Sequence, residues 1–127
     1  MRIIPTSVHG AFDYICGFVL IFSPALFGFS ESDGPQRLLP QLVGFFILVQ
    51  SVMTRYECGV LRVLRMATHV RNESLVALLL ALSPWVFDFQ VGSAPRWSTP
   101  HFVAGMVLLL GCLLSREQPR ATFRPAV

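Results

Sequence analysis

The chain has 127 residues, 54% of them apolar and only 13% charged, with a mean hydropathy of +0.61. Soluble domains carry about 25% charged residues, and a protein this small has proportionally the most surface to cover, so the composition excludes an ordinary water-soluble domain. The net charge of +3 does not point to nucleic acid: all ten basic residues are Arg, and they fall at the ends of apolar blocks, not in a patch beside stacking aromatics.

The first apolar block covers residues 11–29. It contains Asp13, exceeds the apolar core of a secretory signal and lacks a small-residue cleavage motif, so it is expected to stay in the mature protein. Further blocks follow at 38–53, 75–89 and 102–114. With interfacial residues at each end they reach about 18–23 residues, near the ~20 that a helix needs to cross a bilayer. None alternates like a strand, and backbone groups in lipid must be satisfied within the segment, so all four are expected to be helices.

Shifted by sixty residues, 7–57 aligns with 67–117 without a gap. Identities include His9/His69, Ser23/Ser83, Pro24/Pro84, Phe27/Phe87, Phe29/Phe89, Pro35/Pro95, Pro40/Pro100 and Glu57/Glu117. Prolines in register are informative because each marks a specific backbone event, and the pattern reads as a duplicated helical hairpin. The expected fold is an all-α integral membrane four-helix bundle of two parallel tandem hairpins: 1–57, a connection at 58–68, 69–117, and a tail at 118–127. Arg2, Arg55, Arg62, Arg65, Arg71, Arg116, Arg120 and Arg124 share one side, against Arg37 and Arg96 on the other. The positive-inside rule then places both termini and the connection in the cytoplasm of a bacterial inner membrane, with loops 30–37 and 90–98 outside. The connection, ECGVLRVLRMATH, is expected to continue the second helix and then turn, with a short interfacial helix as the alternative.

Pro24 and Pro84 each remove a helical hydrogen bond, leaving the carbonyls of Leu20 and Leu80 for Ser23 and Ser83 to help satisfy, which predicts kinks in helices 1 and 3. Phe27, Phe29, Trp85, Phe87, Phe89 and Trp97 suit the outer interfacial belt. Pro40 and Pro100 are expected to open helices 2 and 4, with Thr99 as an N-cap and a start nearer Pro35 as the alternative for helix 2. Small residues align as Gly17/Ala77 and Gly44/Ala104, consistent with close helix packing. Cys16, Cys58 and Cys112 form no paired motif and read as apolar filler or reduced thiols.

The most specific feature is a His with a carboxylate four residues on, His9/Asp13 and His69/Glu73, on one helix face near the inner boundary. Such residues are expected to form a polar cluster across the two repeats, with Arg71 as a further charge partner and the helix N-termini favouring the carboxylates. The same residue types admit a metal site, haem ligation between helices 1 and 3, or a proton relay. Few polar residues continue such a relay: Gln50, Ser51 and Thr54 in helix 2, and His101 near the outer start of helix 4.

The run HGAFDY with SPALFGF, followed by SPWVFDF in the second copy, resembles the SPW-repeat family of small bacterial membrane proteins. The motif is Ser83-Pro84-Trp85, with Ser23-Pro24-Ala25 as its degenerate first copy, and Asp88 stands where the first copy has Gly28. The resemblance implies two-helix repeats in the inner membrane and supplies no reaction. The expected role is therefore non-enzymatic: an accessory or scaffold subunit, without cofactor, that contacts lipids and a larger membrane complex (respiratory or photosynthetic, for instance) or itself. Proton, ion or small-solute handling by the two His–carboxylate pairs is the alternative.

Overall fold

A computed structural model describes residues 2–89 and 95–119 of the chain. The two chain ends, Arg120, Arg124 and outer-loop residues 90–94 lie outside the described residues, as does the side chain of Arg96. The chain is all-α: α1 (Thr6–Leu26), α2 (Pro35–Met53), α3 (Met66–Val86) and α4 (Pro95–Leu114). Among the described residues only two isolated bridges, Ile4 with Ser115 and Thr54 with Leu64, have strand-like pairing. α1, α2 and the Trp97–Leu114 part of α4 are long and apolar enough to cross a membrane. α3 matches α1 at 21 residues, but His69, Arg71, Asn72, Glu73 and Ser74 make its first third polar.

α1 packs on α2, α3 packs on α4, and α2 joins the two hairpins by meeting α3. Lipid is as apolar as the side chains, so helix association rests on close packing and not on expulsion of water. Small residues supply it. A methyl group on Gly44 would sit 2.6 Å from the Gly17 carbonyl, and one on Gly105 would sit 2.6 Å from the Ala77 carbonyl. Leu20, Val43, Ile47, Ala77, Leu80 and Leu108 fill the middle of the bundle, and Tyr56, Met66, Val70 and Cys112 form a second core at the end that carries Arg2 and the 54–65 connection, labelled inner after the expected orientation.

These contacts correct the gapless alignment. The mate of Gly44 in α4 is Gly105, not Ala104, because each approaches the neighbouring helix at positions sixty apart, Gly17 and Ala77. The Thr54–Leu64 and Ile4–Ser115 bridges show the same split: Thr54 and Ser115 are sixty-one apart, whereas Ile4 and Leu64 are sixty apart. α1 and α3 correspond at sixty, whereas α4 is one residue longer than α2.

The start of α2 follows the alternative reading at Pro35, and α4 departs from the expected start at Pro100. α2 and α4 begin at Pro35 and Pro95, so Pro40 and Pro100 lie inside helices and Thr99 caps nothing. The carbonyl that Pro40 leaves without its helical donor belongs to Gln36, and His101 Nε2 lies 2.8 Å from it. The inner connection does not continue α2. It turns back instead: Val60 and Leu61 donate to the Val52 carbonyl at 2.8 and 2.9 Å, and Val63 and Leu64 to Met53 at 2.8 Å. The N-terminal segment closes α4 in the same way, with Ile3 and Ile4 donating to Leu114 at 2.8 and 2.9 Å. These bonds satisfy carbonyls that a helix end otherwise leaves unpaired, which a further turn of α2 would not achieve.

At the outer end Ser23 Oγ donates to the Leu20 carbonyl at 2.8 Å and Ser83 Oγ to Leu80 at 2.7 Å, using the carbonyls that Pro24 and Pro84 vacate. α1 then ends in a Schellman turn, with Phe27 donating to Ser23 and Phe29 to Pro24 at 2.9 Å and Gly28 at φ 73°. α3 ends identically through Phe87 and Phe89, with Asp88 at φ 55° in the glycine position.

Candidate functional site

His9, Asp13, His69 and Glu73 come together at the inner end of the bundle, each at most 2% exposed. The helix repeat puts each His and its carboxylate one turn apart on a single face, and the packing of the hairpins turns both faces toward each other. The shortest contacts run between helices: His9 Nε2 lies 3.0 Å from Glu73 Oε2, and His69 Nε2 lies 3.0 Å from Asp13 Oδ2. Within a helix the pairs are wider, His9 to Asp13 at 3.5 Å and His69 to Glu73 at 3.3 Å. The two Nε2 atoms are themselves 3.3 Å apart.

The outward-facing ring nitrogens are held by hydroxyls. Thr54 Oγ1 donates to the Gln50 carbonyl at 2.6 Å, so it meets His69 Nδ1, 2.8 Å away, as an acceptor. Ser115 Oγ donates to the Gly111 carbonyl at 2.6 Å and likewise accepts from His9 Nδ1 at 2.7 Å. Both imidazoles therefore carry a proton on Nδ1, and a neutral ring presents the Nε2 lone pair to the centre. Ser51 Oγ donates to Asp13 Oδ2 at 3.0 Å. Glu73 accepts no well-aimed hydrogen bond at either carboxylate oxygen, and Asp13 Oδ1 has none. Gln50, one turn before Thr54, is buried with neither amide atom bonded.

Arg71 is not part of this group. It lies exposed on α3, since two residues before Glu73 is the opposite side of a helix, and the described ion pairs of Glu73 run to the two histidines. The helix dipole is not the counter-charge either, because neither α1 nor α3 has an acidic residue in its first turn. Beside the centre, Thr6 Oγ1 donates to Glu57 Oε2 at 2.6 Å, and Arg2 pairs with Glu117. Of these supporting residues, Ser115 escaped the sequence reading because its mate, Thr54, lies sixty-one residues away and not sixty.

The aromatic residues separate into two groups. Phe27, Trp85 and Phe87 are exposed near the outer end, and Trp97 is half-buried. Phe29 and Phe89 are buried instead of interfacial, because the Schellman turns fold them back over the helix ends. There their rings stand 5.5 and 4.9 Å from that of His101. His101, Phe27, Val103 and Val107 line an apolar cavity of about 370 Å³ between the outer halves of α1 and α4.

The family model described as the SPW repeat domain matches residues 7–115, a span that takes in both His–carboxylate pairs and both Ser-Pro turns. The chain belongs to the SPW repeat domain family. No curated protein and no solved structure matches the chain. Three membrane-span-like helices and this membership identify a small SPW-repeat membrane protein.

Proposed function

We propose that this SPW-repeat protein is a non-enzymatic, four-span unit of the bacterial inner membrane, built by hairpin duplication. It acts as an accessory or scaffold subunit against a larger membrane protein complex. The observation that carries the reading is the enclosure of its only described His–carboxylate cluster: at 0–2% exposure no substrate reaches those side chains. The exterior is apolar over both hairpins, through Phe18 and Phe22 on α1, Phe45 on α2, Leu75 on α3 and Leu113 on α4. Together with the cavity between α1 and α4, these faces offer a partner more contact than reaction chemistry. Arg2, Arg55, Arg62, Arg65 and Arg116 at the inner end support cytoplasmic termini.

Purification in mild detergent tests the role. A stoichiometric membrane companion is expected, and a chain that runs alone from its native membrane would contradict it. Cysteine substitutions at two exposed positions, Val60→Cys and Asp33→Cys, test the orientation. A membrane-impermeant maleimide added to intact cells should label the second and not the first.

The buried charges favour a second reading, in which the centre handles a cation from the inner side. Leu20, Ile47, Leu80 and Leu108 fill the middle of the bundle and argue against conduction through it. Proton leak in liposomes should then be the same for the wild type and for a His9→Ala, His69→Ala variant. A leak that disappears in the variant would establish transport instead.

A further inference from the structure

We propose that His9, Asp13, His69 and Glu73 bind one divalent first-row transition-metal ion, Zn2+ by preference, which clamps the two hairpins together. This goes beyond the scaffold role and does not depend on it.

The donor set is the first ground. Two imidazole nitrogens and two carboxylate oxygens lie within 4.8 Å of one another, all from buried residues. His9 Nε2, His69 Nε2 and Glu73 Oε2 stand 3.0, 3.3 and 3.3 Å apart, and Asp13 places Oδ2 at 3.0 Å from His69 Nε2 and Oδ1 at 3.5 Å from His9 Nε2. Zn–N and Zn–O bonds of about 2.0–2.1 Å at tetrahedral angles place neighbouring ligand atoms about 3.3 Å apart. Four protein ligands and no access from solvent are the features of a structural ion, not a catalytic one. Imidazole with carboxylate suits Zn2+ better than Mg2+ or Ca2+, which prefer oxygen alone.

The second ground is the unresolved chemistry of the centre without an ion. Thr54 and Ser115 take the Nδ1 protons, so the two Nε2 atoms must face each other at 3.3 Å. Two neutral rings oppose lone pairs; two cationic rings balance the carboxylates, each 3.0 Å from one, but crowd two N–H groups at 3.3 Å. One proton shared between them leaves a net charge of −1 in a dry core, which is costly. A divalent cation takes both lone pairs and cancels both carboxylates. It also gives the fully buried Glu73 carboxylate, which no donor serves with good geometry, a partner. The hydroxyls behind the rings then act as orienting groups behind a metal ligand.

The third ground is connectivity. Each hairpin contributes one His and one carboxylate, so an ion at the centre bonds α1 to α3 directly.

The test is metal analysis of the full-length protein purified in mild detergent, with the free ion removed, followed by titration with Co2+ as a spectroscopic stand-in. About one ion per chain is expected, with the visible bands of tetrahedral cobalt bound through nitrogen and oxygen. Glu73→Gln should lose the ion, and Thr54→Val should weaken Co2+ binding about 10–100-fold. Cys58→Ser should bind as the wild type does. If Glu73→Gln fails to fold, the wild-type titration decides alone. The proposal is overturned if the wild type takes up neither Zn2+ nor Co2+, or if Glu73→Gln keeps its ion. Thiolate-to-cobalt charge-transfer bands, which would place the ion on cysteine, also overturn it.

Discussion

Thr54 and Ser115 occupy the same post on opposite hairpins, Thr54 Oγ1 standing 2.8 Å from His69 Nδ1 and Ser115 Oγ 2.7 Å from His9 Nδ1. Each hydroxyl accepts from an imidazole while donating to the carbonyl one turn back on its own helix. Thr54→Val and Ser115→Ala each leave a buried N–H without an acceptor, which costs about 1–3 kcal/mol. Thermal unfolding in detergent should show that loss for both variants, while Thr54→Ser stays near the wild type. Two unaffected variants would mean that the rings are held by something else.

The helix crossings give a contrast among glycines. Gly44→Ala and Gly105→Ala drive a methyl group to within 2.6 Å of a backbone carbonyl on the neighbouring helix. Each should destabilise by about 1–3 kcal/mol. Gly111→Ala meets nothing nearer than a Phe12 ring carbon at 3.6 Å, so it should be neutral or gain up to about 1 kcal/mol from helix propensity. Equal effects at all three positions, measured by the same unfolding assay, would contradict the crossing geometry.

The two Schellman turns predict opposite signs at equivalent positions. Gly28 at φ 73° and Asp88 at φ 55° both occupy the left-handed region, which costs an L side chain about 1–2 kcal/mol. Gly28→Ala should therefore destabilise by about that amount. Asp88→Gly should stabilise by less, since aspartate tolerates this conformation better than most residues. Melting temperatures of the two variants shifting in the same direction would refute the assignment.

Cys58 lies on the inner connection, where burial and then the Glu57 carboxylate push its thiol above the usual range. Only the thiolate reacts, so a raised value keeps the reactive fraction small at neutral pH. In a Cys16→Ser, Cys112→Ser background, the iodoacetamide alkylation rate should keep climbing beyond pH ~8.5, where an ordinary thiol begins to level off. A profile that levels off with the free amino acid would contradict this.

Much of the architecture was legible because lipid constrains it tightly. Four apolar blocks, the Ser-Pro pairs and the His–carboxylate spacing each carry one backbone or packing meaning, and the carbonyls of Leu20 and Leu80 were identifiable from proline chemistry alone. The single-residue slip in α4 was not legible. Leu and Val fill both registers equally well, and only the contacts of Gly44, Gly105, Thr54 and Ser115 separate sixty from sixty-one. The path of the inner connection was hidden for a similar reason: Val60, Leu61 and Val63 have the composition of a helix face, yet their backbone closes the end of α2. Arg71 is only two residues from Glu73 in sequence, yet that spacing puts it on the exposed face of α3 while Glu73 is buried.

The direct measurement of whether the hairpins are locked crosswise is a double-mutant cycle on Asp13 and His69, which meet at 3.0 Å from different hairpins. Asp13→Asn and His69→Gln should each destabilise strongly, and the double variant should fall short of their sum by about 1–3 kcal/mol of coupling. Free energies that add to within about 0.5 kcal/mol would mean that the two side chains do not interact, and the crosswise centre would not exist.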